Sequence, residues 1–258
     1  MMSDDFPANT LVGVTTYAGS LETRVILKKV LRHFRWRNGG DVRLLVVSDG
    51  ALRDTKTRSY AHHVLARPKR SGLQEGELES LRQMAEFAER EGYRYLVKIG
   101  GDVIMNRPDW VSTVVSLLRS QHRRILSTHW FENNSWVVGT KFFATEVAFL
   151  RQILPDKMDA PLLETVFTES IKRHYPLEEV AYLINSNTGE ANEVENELEE
   201  WQWEHAHSLS KFRNLDADAS AMEKTASRGV LYPALRLLKN LGRAKRKSPA
   251  VQSLEFRG

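Results

Sequence analysis

The most informative chemistry in the chain is a single carboxylate that follows two glycines at the end of an apolar segment. Residues 95–99 are of extended type, Gly100 and Gly101 come next, and Asp102 closes the motif. Glycines let the backbone turn sharply and approach a ligand, because they have no Cβ. A carboxylate at the C-terminal end of a buried strand suits a divalent cation or a phosphate–metal complex. A simple Gly-Gly-Asp turn is the alternative interpretation.

Three more polar side chains, Thr15, Asp49 and Arg67, stand at or just past the ends of apolar segments. In a parallel sheet such ends share one edge, where ligands collect. Asp49 is predicted to bind a base or ribose, with a turn or helix N-cap role as the alternative. Arg67, Lys69 and Arg70 could hold diphosphate charge, since a guanidinium binds phosphate through two hydrogen bonds. A solvated loop is the alternative for these three.

Alternating short strands and helices are predicted to position these residues. Strands are expected at residues 11–15, 42–47, 63–66 and 95–99, and helices at 22–34 and from about 78 to 92. This alternation predicts an α/β fold with a mostly parallel sheet covered by helices on both faces. Alternation along the fourth strand places Lys98 opposite Ile99, either buried and paired or lining a cleft. Neither glycine-loop motif for dinucleotides or nucleoside triphosphates follows the first strand.

Composition sets the outer bounds. The 258 residues are 41% hydrophobic and 27% charged, which is typical of a globular protein. Without cysteine, the chain offers no disulfide, zinc–thiolate site or thiol nucleophile. Its first residues do not resemble a signal peptide, and no apolar stretch reaches 18 residues. We therefore expect a cytoplasmic protein that is at most peripheral on the inner face of the membrane.

The C-terminal part of the chain is strongly basic. Residues 211–258 contain eleven Lys or Arg and four Asp or Glu, a net charge of +7. We therefore predict one domain at residues 1–210 and a basic C-terminal helical extension at 211–258. Leucines lie among the basic residues of 228–247, a pattern typical of a helix that rests on an anionic membrane surface. Packing on the core or on a partner is the alternative. Nucleic acid is not expected, because aromatic residues are not interleaved with this segment.

The order of these parts resembles the GT-A fold of nucleotide-diphospho-sugar glycosyltransferases. The resemblance extends over roughly residues 11–182, as a pattern of elements rather than of residue identity. Its motifs are TTY, VVSDGA, ARPKRSGLQEG, KIGGDV and WVVGTKFFATEVAFL. In the family, the strand that matches KIGGDV carries two acids that bind the metal, and Gly100 stands here in place of the first. Its loss implies weaker cation binding, another ligand, or an inactive protein.

The resemblance implies a glycosyltransferase assisted by Mn²⁺ or Mg²⁺. Its donor would be a UDP- or GDP-sugar, and its acceptor a saccharide or a lipid-linked molecule. Asp102 would hold the metal. Nucleotide contacts are implied for Thr15, Thr16, Tyr17, Asp49, Arg67, Arg70, Gly100 and Gly101.

If the reaction inverts the anomeric centre, a carboxylate has to deprotonate the acceptor hydroxyl. Residues 159–171 are predicted to form a helix with Pro161 in its first turn. Glu164 is the first candidate for the base, and Asp159 is the second. An exposed helix acid is the alternative for Glu164, and an N-cap is the alternative for Asp159.

Two further groups complete the predicted site. Trp130, Asn133 and Trp136 suit a sugar acceptor, because flat aromatic faces and amides match its C–H faces and hydroxyls. The alternative for them is core packing around a polar hairpin. His205 and His207 are two residues apart and share a face in an extended chain, so they could replace the missing metal ligand. GT-A enzymes often bring a histidine back to the metal here, although a structural role is the alternative.

Two other functions stay open at this stage. A sugar nucleotidyltransferase is disfavoured, because its usual glycine-rich, basic loop is missing after the first strand. A non-catalytic nucleotide-sugar-binding protein is suggested by Gly100.

Overall fold

The computed structural model describes residues 8–17, 20–38, 42–52, 55–68, 71–105, 109–132, 135–185 and 203–205. The strands are β1 (Thr10–Thr16), β2 (Arg43–Ser48), β3 (His63–Ala66), β4 (Tyr95–Gly100), β5 (Val103–Met105), β6 (Ile125–Glu132), β7 (Ser135–Glu146), β8 (Ala181–Asn185) and β9 (Trp203–His205). The helices are α1 (Leu21–Asn38), α2 (Thr55–Tyr60), α3 (Leu73–Arg90), α4 (Trp110–Ser120), α5 (Val147–Ile153), α6 (Leu163–His174) and α7 (Leu177–Val180).

A seven-stranded sheet organises the described residues, with strand order β3-β2-β1-β4-β7-β6-β8. β1 pairs in parallel with β2 and β4, β2 with β3, and β6 with β8. β7 runs antiparallel to both of its neighbours, β4 and β6. The prediction of a mostly parallel α/β sheet is therefore confirmed.

Helices cover both faces of this sheet, because successive strand residues point to opposite sides. On one face Val12 and Val14 pack with the apolar stripe of α1 and with α4. On the other face Leu11 packs with α3, α5 and α6, around Phe143 and Phe167. This two-sided burial explains why the parallel strands are nearly continuous apolar runs.

The sixth helix begins later than the sequence predicts. α6 starts at Leu163, after Leu162 in an extended conformation, so Pro161 is not in its first turn and Asp159 is not its N-cap. The Leu163 N–H donates a hydrogen bond to Gln74 Oε1 at 2.7 Å. A side chain on α3 therefore accepts the hydrogen bond of an N–H group in the first turn of α6, which has no partner within the helix. This contact joins distant parts of the chain, so no local sequence signal encodes it.

β7 carries an irregularity where it faces β6. Ser127 pairs with Phe143 and His129 with Val138, so one residue of β6 lies opposite four residues of β7. The Ser127 hydroxyl donates to the Gly139 carbonyl at 2.7 Å and stabilises the bulge. Bulges redirect side chains and are frequent beside functional sites.

A separate two-stranded ribbon joins β5 to β9, with Val103 opposite His205. The segment at residues 203–205 therefore returns to the residue that follows Asp102. The predicted extension at 211–258 lies outside the described residues. Within the described ranges, every helix is too short or too polar to cross a bilayer.

Candidate functional site

Backbone hydrogen bonds join the loops at the carboxyl edge of the parallel strands. The Asp49 N–H donates to the Thr16 carbonyl at 2.8 Å, and the Arg67 N–H donates to the Ser48 carbonyl at 3.0 Å. The Gly101 N–H donates to the Thr15 carbonyl at 2.7 Å. The polar residues that the sequence assigns to strand ends therefore lie along one edge. Tyr17, at the end of β1, is 41% exposed there.

The Asp49 carboxylate is buried and already has partners. Its Oδ1 accepts a hydrogen bond from the Ser71 N–H at 3.0 Å and forms an ion pair with Arg67 Nη1 at 3.4 Å. A Cβ on Gly76 would overlap this carboxylate, so α3 packs directly against it. Asp49 thus links β2 to the first turn of α3, and in this structure the ion pair with Arg67 stabilises that link.

The two glycines before Asp102 lie in closely packed positions. A Cβ at Gly101 would lie 3.0 Å from the Thr15 carbonyl oxygen. A Cβ at Gly100 would lie 2.7 Å from Asp102 Oδ1 and 3.7 Å from Lys141 Cδ. The space beside Gly100 is therefore filled by Asp102 and by the aliphatic part of Lys141.

A fully buried lysine lies on β4 just before this turn. Lys98 Nζ donates hydrogen bonds to Glu77 Oε1 and to the Thr140 carbonyl. Burial lowers the pKa of Lys98, and the charge of Glu77 opposes that effect. Burial alone would raise the pKa of Glu77, but the charges of Lys98 and Lys141 hold it below its usual range. The pair confirms one of the two predicted placements of Lys98.

The β7 bulge connects this ion pair to the candidate base. The Thr140 hydroxyl donates to Glu164 Oε1 at 2.9 Å and also lies 3.4 Å from Glu77 Oε1. Glu164, in the first turn of α6, is only 9% exposed. A buried helix acid held by a hydroxyl contradicts the alternative of an exposed one. The contact fixes the carboxylate in one position near the edge of the sheet.

Lys141 follows Thr140 in the bulge and joins the charged groups. Burial would lower the pKa of Lys141, but the charges of Glu77, Asp102 and Glu164 together raise it. Lys141 is therefore a firmly protonated cation within electrostatic range of both Asp102 and Glu164.

The remaining predicted residues are placed as follows. Asp159 is exposed and pairs with Arg173 at 3.4 Å. Trp136 is half-buried on β7 and contacts His129 edge to face, with ring centroids 4.6 Å apart. Trp130 is on β6 and His205 on β9, and the structure describes the backbone alone at both. Arg70, Asn133 and His207 lie outside the described residues.

Sequence reasoning missed Glu77, Thr140 and Lys141. Glu77 occupies a position four residues before Leu81 on the apolar stripe of α3, where an acid is unexpected. Lys141 interrupts an apolar strand. For both Glu77 and Lys141, the signal in the sequence is a charged residue at a position where the pattern predicts an apolar one.

Asp102 places one carboxylate at this edge of the sheet. Mg²⁺ and Mn²⁺ prefer oxygen ligands and keep several waters, so one carboxylate can form part of their coordination. Among the residues that the structure describes, no three His, Cys, Asp or Glu side chains gather into a complete metal site.

Comparisons with known proteins identify the fold. No protein-family model and no curated protein matches the chain. A protein from Desulfovibrio desulfuricans G20, assigned as a nucleotide-diphospho-sugar transferase, superposes with a TM-score of 0.50 at 13% identity, over 83% of this chain and 98% of that chain.

Two other solved structures resemble the chain more distantly. S. aureus TarS 1-349, solved in complex with UDP-GlcNAc, has a TM-score of 0.45 at 13% identity, over 70% of this chain and 60% of that chain. A cytidylyltransferase from Leptospira borgpetersenii has a TM-score of 0.46 at 12% identity, over 69% of this chain and 76% of that chain. At such identities a likeness shows fold alone. The chain has a GT-A-like α/β fold, as its sequence predicts.

Proposed function

We propose that this chain is a glycosyltransferase that moves a sugar from a nucleoside-diphosphate sugar to a hydroxyl of a saccharide or lipid-linked acceptor. One observation carries the proposal. Asp102 Oδ1 and Lys141 Cδ both lie within 4 Å of the point where a Cβ on Gly100 would stand, and Thr140, the neighbour of Lys141, holds Glu164 at 2.9 Å. Asp102, the candidate group for the diphosphate, and Glu164, the candidate group for the acceptor, thus both lie near the charge of Lys141.

The proposed reaction inverts the anomeric carbon. Glu164 accepts the proton of the acceptor hydroxyl as that oxygen attacks the anomeric carbon. The bond from this carbon to the diphosphate oxygen breaks, and its electron pair leaves with the nucleoside diphosphate. The Thr140 hydroxyl, 2.9 Å from Glu164 Oε1, orients the carboxylate. Such positioning supplies a large share of the rate in transfers of this kind.

Asp102 is the proposed metal ligand. When bound there, Mn²⁺ or Mg²⁺ would act as a Lewis acid that stabilises the departing diphosphate. His205 and His207 are proposed as further ligands, and the pairing of His205 with Val103 brings that backbone next to Asp102.

The nucleoside is proposed to lie over the ends of β1 and β2. The exposed ring of Tyr17 offers a stacking surface for the base, while Asp49 and Arg67 provide polar groups beside it. Trp130, Asn133 and Trp136, on and between β6 and β7, are proposed to contact the acceptor. The basic segment at 228–247 would bring the protein to an anionic membrane on its cytoplasmic side, where lipid-linked acceptors are found.

The test compares Glu164→Gln with Glu169→Gln, a matched change to an exposed acid on the same helix. Purified proteins are incubated with UDP- and GDP-sugars, Mn²⁺ and a mixture of saccharide acceptors, and release of the nucleoside diphosphate is measured. General-base loss typically lowers the rate by about 10²- to 10⁴-fold. We expect this loss for Glu164→Gln, while Glu169→Gln keeps wild-type turnover and both variants bind UDP or GDP normally.

Other outcomes would point to other functions. Equal turnover in the two variants removes Glu164 from the reaction. Binding of a nucleotide-sugar without turnover indicates a non-catalytic binding protein. Release of pyrophosphate from a nucleoside triphosphate and a sugar phosphate identifies a nucleotidyltransferase.

A further inference from the structure

The proposed reaction gives no role to the two lysines at the site, Lys98 and Lys141. Lys98 is fully buried and is bound to Glu77 and to the Thr140 carbonyl. Lys141 is only partly buried, and its charge faces the acids of the site rather than one dedicated partner. Of these two lysines, Lys141 is therefore the one that can reach a ligand.

Lys141 lies close to Gly100. The pairing of β4 with β7 ends with Ile99 opposite Phe142, and Gly100 and Lys141 are the next residues on the two strands. Lys141 Cδ passes 3.7 Å from the point where a Cβ on Gly100 would stand. A Cβ at this position would be in ordinary van der Waals contact with Lys141 and would crowd Asp102 Oδ1, which lies 2.7 Å away. An acid at residue 100 would therefore place a second carboxylate beside Lys141, which glycine does not.

Gly100 therefore makes the charge of this turn less negative by one. With an acid at residue 100, two carboxylates would flank the turn and would need a metal ion before an anion could approach. With Gly100, one carboxylate, Asp102, faces one ammonium, Lys141. A site with a resident cation attracts a diphosphate on its own, because an ammonium forms short, charge-assisted hydrogen bonds with phosphate oxygens.

We propose that Lys141 binds the diphosphate of the donor directly and serves as a built-in cation of this site, so that nucleotide binding persists when divalent metal is removed. This inference rests on the proposed function, since it concerns the same donor. In the free protein the acids around Lys141 hold its charge at the edge of the sheet. On binding, phosphate oxygens take the place of Asp102 as its partner.

The experiment measures binding of UDP and GDP by calorimetry, with excess EDTA and separately with Mn²⁺. Lys141→Met keeps the length of the side chain and removes its charge, Lys141→Arg keeps the charge, and Lys172→Met is the matched control. Lys172 pairs with Glu169 on α6 at 3.1 Å. A charge-assisted hydrogen bond corresponds to roughly a ten- to hundredfold change in affinity.

In EDTA we expect the wild type to bind either UDP or GDP, and we expect Lys172→Met to bind the same nucleotide with the same affinity. Lys141→Met should bind it about ten- to a hundredfold more weakly, and Lys141→Arg should recover most of the loss. Thermal unfolding shows whether each variant is folded. If Lys141→Met does not fold, Asp102→Asn provides the decisive measurement. That change releases Lys141 from its acid, so affinity in EDTA should be kept or increased while the added effect of Mn²⁺ disappears.

The possible failures are distinguishable. If the wild type binds in Mn²⁺ but not in EDTA, or if Lys141→Met binds as well as the wild type in EDTA, Lys141 has no such role and the proposed function stands. A loss of EDTA binding in Asp102→Asn also overturns the inference. If neither UDP nor GDP binds under any condition, the proposed function fails and the inference fails with it.

Discussion

At the scale of single residues, the buried Lys98 joins β4 to α3 through its hydrogen bond to Glu77. Strand alternation predicts its face of the sheet, and the structure places it there, fully buried. Its partner Glu77 is 21 residues earlier on α3, and only tertiary packing brings the two together. Glu164 was similarly selected from its residue type and position, while the hydroxyl that holds it, on Thr140, comes from another element. Residue type and position therefore predicted Lys98 and Glu164, whereas tertiary packing supplied their partners, Glu77 and Thr140.

Replacing Lys98 with methionine should destabilise the fold strongly. The change leaves Glu77 as a mostly buried carboxylate without its main cation, and breaking a buried pair costs about 3–5 kcal/mol. The double variant Lys98→Met/Glu77→Gln should recover part of this loss, because the stranded charge is removed. Urea unfolding at neutral pH measures both free energies. A Lys98→Met protein as stable as the wild type would show that the pair contributes nothing.

Acid should weaken the fold partly through Glu77. Lys98 and Lys141 lower the pKa of this carboxyl in the folded protein below its ordinary value of 4.5, against the effect of burial. The stability that this carboxylate contributes is therefore present above pH 4.5 and is lost as the pH falls through its folded-state pKa. Unfolding free energies between neutral pH and pH 3 should fall less steeply for Glu77→Gln than for the wild type. Glu79→Gln, half-exposed on the same helix, should keep the wild-type slope.

At the scale of elements, local patterns identified most of the first half of the sheet. β1, β2, β3 and β4 were predicted close to their observed bounds, because each is a short apolar run. α1 and α3 were predicted from their helical periodicity, but α1 ends four residues later and α3 begins about five residues earlier than predicted. The direction of β7 and its bulge were not predicted, since pairing direction and register depend on the neighbouring strands. α6 was predicted to begin too early, because its start depends on Gln74 from α3.

Gly76 on α3 offers a test of how this helix meets β2. Alanine is better than glycine in a helix by about 0.5–1 kcal/mol, so Gly76→Ala would ordinarily stabilise α3. Here the new Cβ would overlap the Asp49 carboxylate, which Ser71 and Arg67 hold in place. We expect a net loss of about 1–3 kcal/mol in urea unfolding. In an Asp49→Ala background the same change should instead stabilise the protein, and stabilisation in the wild-type background would contradict the packing described.

At the scale of the whole molecule, one sheet with a core on each face brings the predicted polar residues to its carboxyl edge. The two cores were predictable as the covered faces of a parallel sheet, whereas the sequence alone could not specify which strand ends would meet. That edge depends on the strand order β3-β2-β1-β4, which sets the loops after these strands side by side. The basic C-terminal segment makes the distribution of charge along the chain asymmetric, and the fold of the sheet does not explain this asymmetry.

The full chain should sediment with vesicles that contain phosphatidylserine, and added salt should release it. Each basic residue near an anionic surface contributes about 1 kcal/mol, so glutamine at Arg236, Lys239, Arg243 and Lys245 should weaken binding at least about tenfold. Glutamine at Lys172 and Arg173 on α6 is the control and should bind as the wild type does. Equal binding to neutral vesicles, or no effect of the four changes, would remove the proposed role of this segment.

The short ribbon of β5 and β9 has a consequence for chain connectivity. Because His205 pairs with Val103, the backbone at residues 203–205 lies beside the strand that follows Asp102. The ribbon therefore links a segment about one hundred residues further along the chain to the turn that carries Asp102.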